Sequence, residues 1–264
     1  MGTNNLLKEI QNPNELIELS QRKEKDQTII YHYTTYESLL AILENKCFRL
    51  SRSDLLNDKV EEKFSGCLES EKRYIMSFTY TGVESVAMWA MYGKASGIKL
   101  RIGIPHSFLV KTINNNFYFD PKKDNKIGIG DVETLSPTKK EFRVSNVMYY
   151  DKEADKIFLK KYTYRTLMSE NDSKQLAGFV KYNVWDFEKE IRLSVLLNSQ
   201  GENKTFDKYI YAGITDELIS EMIITYNPWI KENVKREIER SINSIPGFEL
   251  KHEFSKCHGE VSEL

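Results

Sequence analysis

Apolar positions recur along the chain in two periods, and each period predicts an element. Residues 28–34 (TIIYHYT) alternate, with Ile29, Tyr31 and Tyr33 on one face of a strand and Ile30, His32 and Thr34 on the other. Thr35 then stands as a helix cap, and Leu39, Leu40, Ile42 and Leu43 form a helical stripe ending at Asn45-Lys46. Residues 48–50, 73–80 and 98–104 read as further strands. Between them lie a polar loop, 51–62, with Asn57-Asp58 as its turn signal, and a helix over 85–92 that brings Met88, Trp89 and Tyr92 close together. Residues 105–109 start a short helix, and 142–150, 208–211, 221–226 and 248–254 read as strands. Helices are predicted over 151–170, 174–182, 215–220 and 228–244, the last with Pro228 at its start. Residues 6–25 form a helix divided at Asn12-Pro13, and 114–138 are a weakly patterned loop insertion. Strands with interspersed helices and no regular βαβ cadence predict an α+β fold. The expected organisation is an N-terminal helical annex over 1–27 and one domain over 28–264, with the insertion at about 114–138.

Residues 185–197 (WDFEKEIRLSVLL) change the picture from fold to chemistry. Read as one strand, they place Glu188, Glu190 and Arg192 on one face and Phe187, Lys189, Ile191 and Leu193 on the other. A carboxylate pair against a core strand costs free energy unless it is paired or functional. Two readings fit: a half-buried edge strand with Glu190 and Arg192 paired, and a catalytic glutamate.

Composition narrows the classes. The chain has 264 residues, 40% apolar and 12% aromatic, enough for a core. Its formal net charge of −1 excludes a polyanion binder by bulk charge, though a local basic face remains open. Cys47, Cys67 and Cys257 lack metal-ligand spacing and fit a reducing cytoplasm. No apolar run reaches membrane-spanning length, and the first twelve residues are no signal peptide. A soluble cytoplasmic protein with no membrane partner is expected.

The candidate residues each carry two readings. His32 is a core histidine or a donor to a ribose hydroxyl, with Thr34 and Thr35 beside it; Thr35 also fits as a plain helix cap. Ser77-Phe78-Thr79, followed by Trp89 and Tyr92, is ordinary core or a pocket whose aromatic faces stack a planar ring. Asn57, Asp58 and Glu61 lack the third carboxylate that calcium needs, and the scattered histidines give no zinc set, so no metal is expected. Gly128-Ile129-Gly130 is no phosphate loop, and no G-x-S-x-G elbow occurs.

Taken in order, Tyr31-His32-Tyr33-Thr34, Leu56-Asn57-Asp58 with Glu61, Met76-Ser77-Phe78, Trp89 with Tyr92, Gly97, Lys181 and Glu188-Lys189-Glu190-Ile191-Arg192 resemble a bacterial domain-of-unknown-function family. Gly97-Ile98-Lys99 stands where that family usually has Gly-Val. The arrangement in turn resembles the ADP-ribosyltransferase fold, a split β-sandwich with surrounding helices that grips NAD. His32-Tyr33-Thr34 leading into a helix is similar to DarT-like enzymes, which modify nucleic acid; Ser77-Phe78-Thr79 matches their S-T-S motif only in part. The resemblance implies Glu190 and Glu188 as catalytic carboxylates. It implies His32, Tyr33, Thr34, Ser77, Trp89 and Tyr92 as NAD contacts. It also implies a toxin or phage-defence effector, NAD as substrate, and an antitoxin or immunity protein as partner.

The acceptor is read from charge. Lys122, Lys123 and Lys126, with Lys139, Lys140 and Arg143, lie in or beside the insertion, interleaved with Phe117, Tyr118 and Phe119. A solvated loop has the same composition. The resemblance of Glu188-Lys189-Glu190 to an E-x-E pair implies a protein arginine, and the His-x-Thr likeness implies RNA or DNA, which is favoured. A non-catalytic nucleotide- or protein-binding module is the alternative.

Overall fold

The computed structural model describes residues 29–56, 71–92, 97–112, 117–120, 122, 125–126, 142–150, 178–198, 207–247 and 249–261. The fold is α+β with mostly antiparallel strand pairing. Two compact units share the chain. The first includes Arg49–Ser77 and Phe117–Tyr211; the second is Asp26–Phe48, Phe78–Asn116 and Ala212–Leu264. The expected helix over 6–25, the helix over 151–170 and the Asn57-Asp58 turn with Glu61 lie outside the described residues.

In the second unit, β1 (Ile29–Thr35) pairs antiparallel with β4 (Lys99–Pro105), His32 opposite Ile102 and Tyr33 opposite Arg101. β12 (Ile223–Tyr226) continues outward from β4, and β13 (Lys251–Phe254) lies parallel to β12. That parallel step needs a crossover, supplied by α5 (Glu232–Asn243), which buries Ile238 and Ile242. Helix α1 (Tyr36–Asn45) is capped as predicted: the Thr35 hydroxyl oxygen accepts from the Ser38 backbone N–H at 3.3 Å. Short helices α2 (Val86–Met91), α3 (His106–Thr112) and α4 (Asp216–Ser220) complete this unit. Helix α5 starts four residues after the expected Pro228. There the Asn227 side chain accepts from Trp229 N–H, and Ile230 N–H returns to the Asn227 carbonyl, so a local turn takes these residues.

In the first unit the long strand β10 (Glu190–Asn198) pairs antiparallel with β7 (Phe142–Asn146) and also with β3 (Glu71–Thr79). Ile191, Leu193, Val195, Leu196 and Leu197 are buried, so the aliphatic run does form a central strand. The strand predicted over 142–150 is two. Val147 breaks it, donating its N–H to the Glu190 carbonyl at 2.9 Å, and β8 (Met148–Tyr150) turns away to pair parallel with β9 (Val180–Tyr182). The helix expected over 174–182 is therefore corrected at its described end. Gly178 has φ +77, a conformation that stops a helix, and Val180–Tyr182 is strand. Within the insertion, β5 (Phe117–Asp120) and β6 (Asn125–Lys126) form a small antiparallel pair, with Lys122 exposed between them. The remaining strands are β2 (Cys47–Arg52) and β11 (Tyr209–Gly213). No helix among the described residues is long and apolar enough to cross a membrane.

The second unit is tied together by Glu84, whose side chain is 1% exposed. Its carboxylate accepts from Trp89 Nε1 at 3.0 Å, Ser255 Oγ at 2.5 Å and Lys256 N at 2.8 Å, and lies 3.5 Å from Arg101 Nη2. Arg101 Nε and Nη1 make no hydrogen bond; the guanidinium lies over the Tyr31 ring at 4.1 Å. Replacing Glu84 by Ala leaves that guanidinium buried without its counter-ion. Urea unfolding of Glu84→Ala should show a loss of about 3–5 kcal/mol, the cost of breaking a buried pair; a loss under about 1 kcal/mol, the size of an exposed pair, would contradict this account.

Candidate active site

The carboxylate pair is built differently from the sequence reading. Residues 185–189 are not strand. Asn183–Glu188 form a 3-10 turn, Lys189 adopts a left-handed conformation (φ 45), and β10 starts only at Glu190. Asp186 explains the change: its carbonyl accepts Lys189 N–H, and its carboxylate pairs with Lys189 Nζ, closing the turn locally. Glu188 and Glu190 are nevertheless both buried. Both are 3% exposed.

Two cations meet the two carboxylates. Arg192, 1% exposed, grips Glu190 with a fork: Nε to Oε1 at 2.7 Å and Nη2 to Oε2 at 3.0 Å. Its Nη1 donates to the Gly178 carbonyl at 2.6 Å. Lys181 Nζ lies 2.6 Å from Glu188 Oε2 and 3.5 Å from Glu190 Oε2. It also sits 4.8 Å from the centre of the Trp185 ring. Ser77 hydrogen-bonds the Glu190 carboxylate, and the Glu190 backbone N–H donates to Tyr149 Oη at 2.9 Å. Burial pushes the Glu190 carboxyl up. The charges of Arg192 and Lys181, with hydrogen bonds from Arg192 and Ser77, outweigh it and hold the group below the ordinary carboxylate range. The Tyr149 phenol is pushed far up by burial and then by the Glu190 charge, so it stays protonated.

The backbone is shaped to deliver these groups. Tyr149 and Lys181 are register partners on β8 and β9, so this two-stranded pair presents a phenol and an ammonium side by side. Gly178 is required twice: φ is +77, and an added Cβ would stand 2.8 Å from Arg73 Cδ and 3.0 Å from Ile75 Cδ1. Arg73, also buried, donates through Nη1 to Ser194 at 2.8 Å, and its guanidinium lies 5.8 Å from the Phe179 ring centre.

Of the predicted site residues, Ser77, Glu188 and Glu190 come together here. The others belong to the second unit. Tyr33 and Trp89 meet edge to face, centroids 4.8 Å apart at 79°, with Tyr92 and Trp229 packed against them. Trp89 is fully buried and its Nε1 is used by Glu84; Tyr92 is the partly open ring. His32 and Thr34 share the other face of β1; His32 rests 5.6 Å from the Phe78 ring and Thr34 is buried. The sequence reading gave no role to Lys181 or Tyr149. A lone lysine in the apolar run Phe179-Val180-Lys181-Tyr182 was the available signal. Among the described residues no three His, Cys, Asp or Glu side chains come together as metal ligands. No protein-family model matches the chain, and no curated protein matches it.

The cluster predicts a pH dependence. Glu190 has a folded-state pKa below its unfolded value of about 4.3. Its contribution to stability is therefore fully present above that value and is lost as pH falls through the folded-state pKa. Unfolding free energy measured from pH 3 to 7 (about the range where carboxylates titrate) should fall on acidification more steeply in the wild type than in Glu190→Gln. Parallel profiles would refute the assignment. Arg192→Met should cost about 3–5 kcal/mol at pH 7, because it leaves a buried carboxylate without its fork.

Proposed function

We propose that this chain is an NAD-consuming mono-ADP-ribosyltransferase, built on a fold of the ADP-ribosyltransferase type and acting in the cytoplasm as a toxin or phage-defence effector. The observation that carries the reading is the meeting of Ser77, on β3, with Glu190, on β10, beside a second carboxylate, Glu188. This is the set of groups that the resemblance assigns to the reaction.

The chemistry follows from charge. Breaking the nicotinamide–ribose bond develops positive charge on the sugar, and an ionised carboxylate lowers the barrier where that charge appears. Glu190 is held ionised by Arg192 and Lys181 and steadied by Ser77. Glu188 takes the proton of the acceptor as general base. The resemblance assigns further NAD contacts to His32, Tyr33, Thr34, Trp89 and Tyr92. The acceptor is RNA or DNA, a reading that rests on the His-x-Thr likeness and on the basic, aromatic insertion.

One observation favours a second reading, a non-catalytic binding module. Glu190 is 3% exposed and both its oxygens already accept hydrogen bonds. A transferase must rearrange these bonds when NAD enters; a structural ion network need not.

Labelled NAD separates the two. The wild type should transfer label to a macromolecule in a cell lysate. Glu190→Gln, which keeps the shape and removes the charge, should lower the rate by about 10²–10³-fold. If neither protein consumes NAD, the binding-module reading stands. Nuclease should release the label and protease should not; release by protease alone would assign a protein acceptor and overturn the nucleic-acid reading.

A further inference from the structure

We infer that Lys181 is a positioning residue for the carboxylate pair, clamping Glu188 beside Glu190 and keeping both ionised. The inference rests on the transferase reading for its role in catalysis, but not for the clamp itself.

Glu188 and Glu190 share one ammonium. Lys181 Nζ is 2.6 Å from one carboxylate and 3.5 Å from the other, and the lysine is 7% exposed. Two carboxylates this close, screened by little water, do not both ionise unaided; one keeps a proton, as in any carboxylate dyad. Arg192 answers Glu190 through its fork. Its Nη1 goes to the Gly178 carbonyl. Lys181 donates to Glu188 at 2.6 Å, and the same ammonium reaches across to Glu190. Among the described residues, Lys181 faces Glu188 on the 3-10 turn and Glu190 on β10, and Glu190 in turn meets Arg192 on β10, Tyr149 on β8 and Ser77 on β3. Tyr149 and Ser77 are neutral, and Arg192 and Lys181 are the cations among these groups.

The geometry also makes the lysine hard to replace by a passing solvent ion. It enters from β9, where its register partner Tyr149 accepts the Glu190 N–H, and its ammonium is packed 4.8 Å from the Trp185 ring centre. One short strand pair thus fixes the backbone of Glu190 with a phenol and the side chains of both glutamates with an ammonium. A general base must be ionised before it can accept a proton, so a pair that kept a proton at neutral pH would be the wrong state for transfer.

The test reads protonation directly and activity separately. Glutamate labelled with ¹³C at the side-chain carboxyl is followed by NMR against pH in the full chain, with the two signals assigned by their loss in Glu188→Gln and Glu190→Gln. In Lys181→Met the pair should hold a proton to a pH about one to three units higher than in the wild type; Lys181→Arg should stay near the wild-type curve. If the wild type consumes NAD, the acid limb of its rate profile should move by the same amount in Lys181→Met and return in Lys181→Arg. Should Lys181→Met fail to fold, the double variant Lys181→Met/Glu188→Gln removes both charges together. It should fold, and Glu190 should hold its proton to a higher pH than in Glu188→Gln alone, because the same ammonium faces that carboxylate. Coincident titrations of the wild type and Lys181→Met would overturn the clamp, as would a double variant whose Glu190 signal coincides with that of Glu188→Gln. A wild type that consumes no NAD, with the clamp titrations as expected, would overturn the transferase reading and leave the clamp standing.

Discussion

A carboxylate that is 3% exposed on a central strand is the constraint from which the first unit follows. Moving such an ion out of water costs several kcal/mol, and that cost is met here by directed partners, not by solvent. Arg192 supplies a fork from two residues along the same strand, Lys181 an ammonium, Ser77 a hydroxyl, and Tyr149 holds the backbone N–H. Each of these needs its own backbone. Lys181 and Tyr149 need β8 and β9 to run parallel in one register, and Arg192 needs a carbonyl at Gly178 to take its remaining donor. The glycine in turn must be a glycine, because Arg73 and Ile75 occupy the space a side chain would use.

The second unit uses a buried ion pair for a different purpose. Glu84 binds groups that are far apart in the chain: the edge of Trp89, the hydroxyl of Ser255 and the backbone of Lys256. Every acceptor position on it joins one segment to another. Arg101 completes that arrangement from β4 with its guanidinium on the Tyr31 face. The same charge chemistry therefore acts here as a fastening between the 80–85 loop and the closing segment.

Much of the regular structure was legible because it rests on local pattern. The alternation in 28–34 and the stripe after Thr35 gave β1 and α1 with the right cap, and the aliphatic run after Glu190 gave a core strand. Two of the misses share a cause: a single residue with unusual backbone geometry outweighed the apolar period. Lys189 in the left-handed region cut the predicted strand at its start, and Gly178 at φ +77 turned a predicted helix into strand β9. Periodicity carries no information about either. Ser77 and the two glutamates were found from residue type and order. Lys181 and Tyr149 were not assigned, because a lysine and a tyrosine on a short strand look the same in sequence whether they face solvent or a buried acid.

The number of charges in the cluster bears on what it is for. A protein that needed only a stable β10 would do as well, or better, with apolar side chains, since replacing a buried ion pair by hydrophobic residues is often neutral or stabilising. One pair, Glu190 with Arg192, has a structural use, because its guanidinium also anchors the Gly178 carbonyl. Lys181 and Glu188 add a second pair beside it, and their mutual bond joins the 3-10 turn to β9 at a place where the chain already connects them directly. The desolvation cost of this second pair comes on top of that of the first. It holds a second carboxylate next to the first, with one ammonium spanning both. Stabilising positive charge at one point while accepting a proton at another requires two acids in different roles at one place. The second pair of buried charges beside the first is the arrangement that the proposed active-site reading uses.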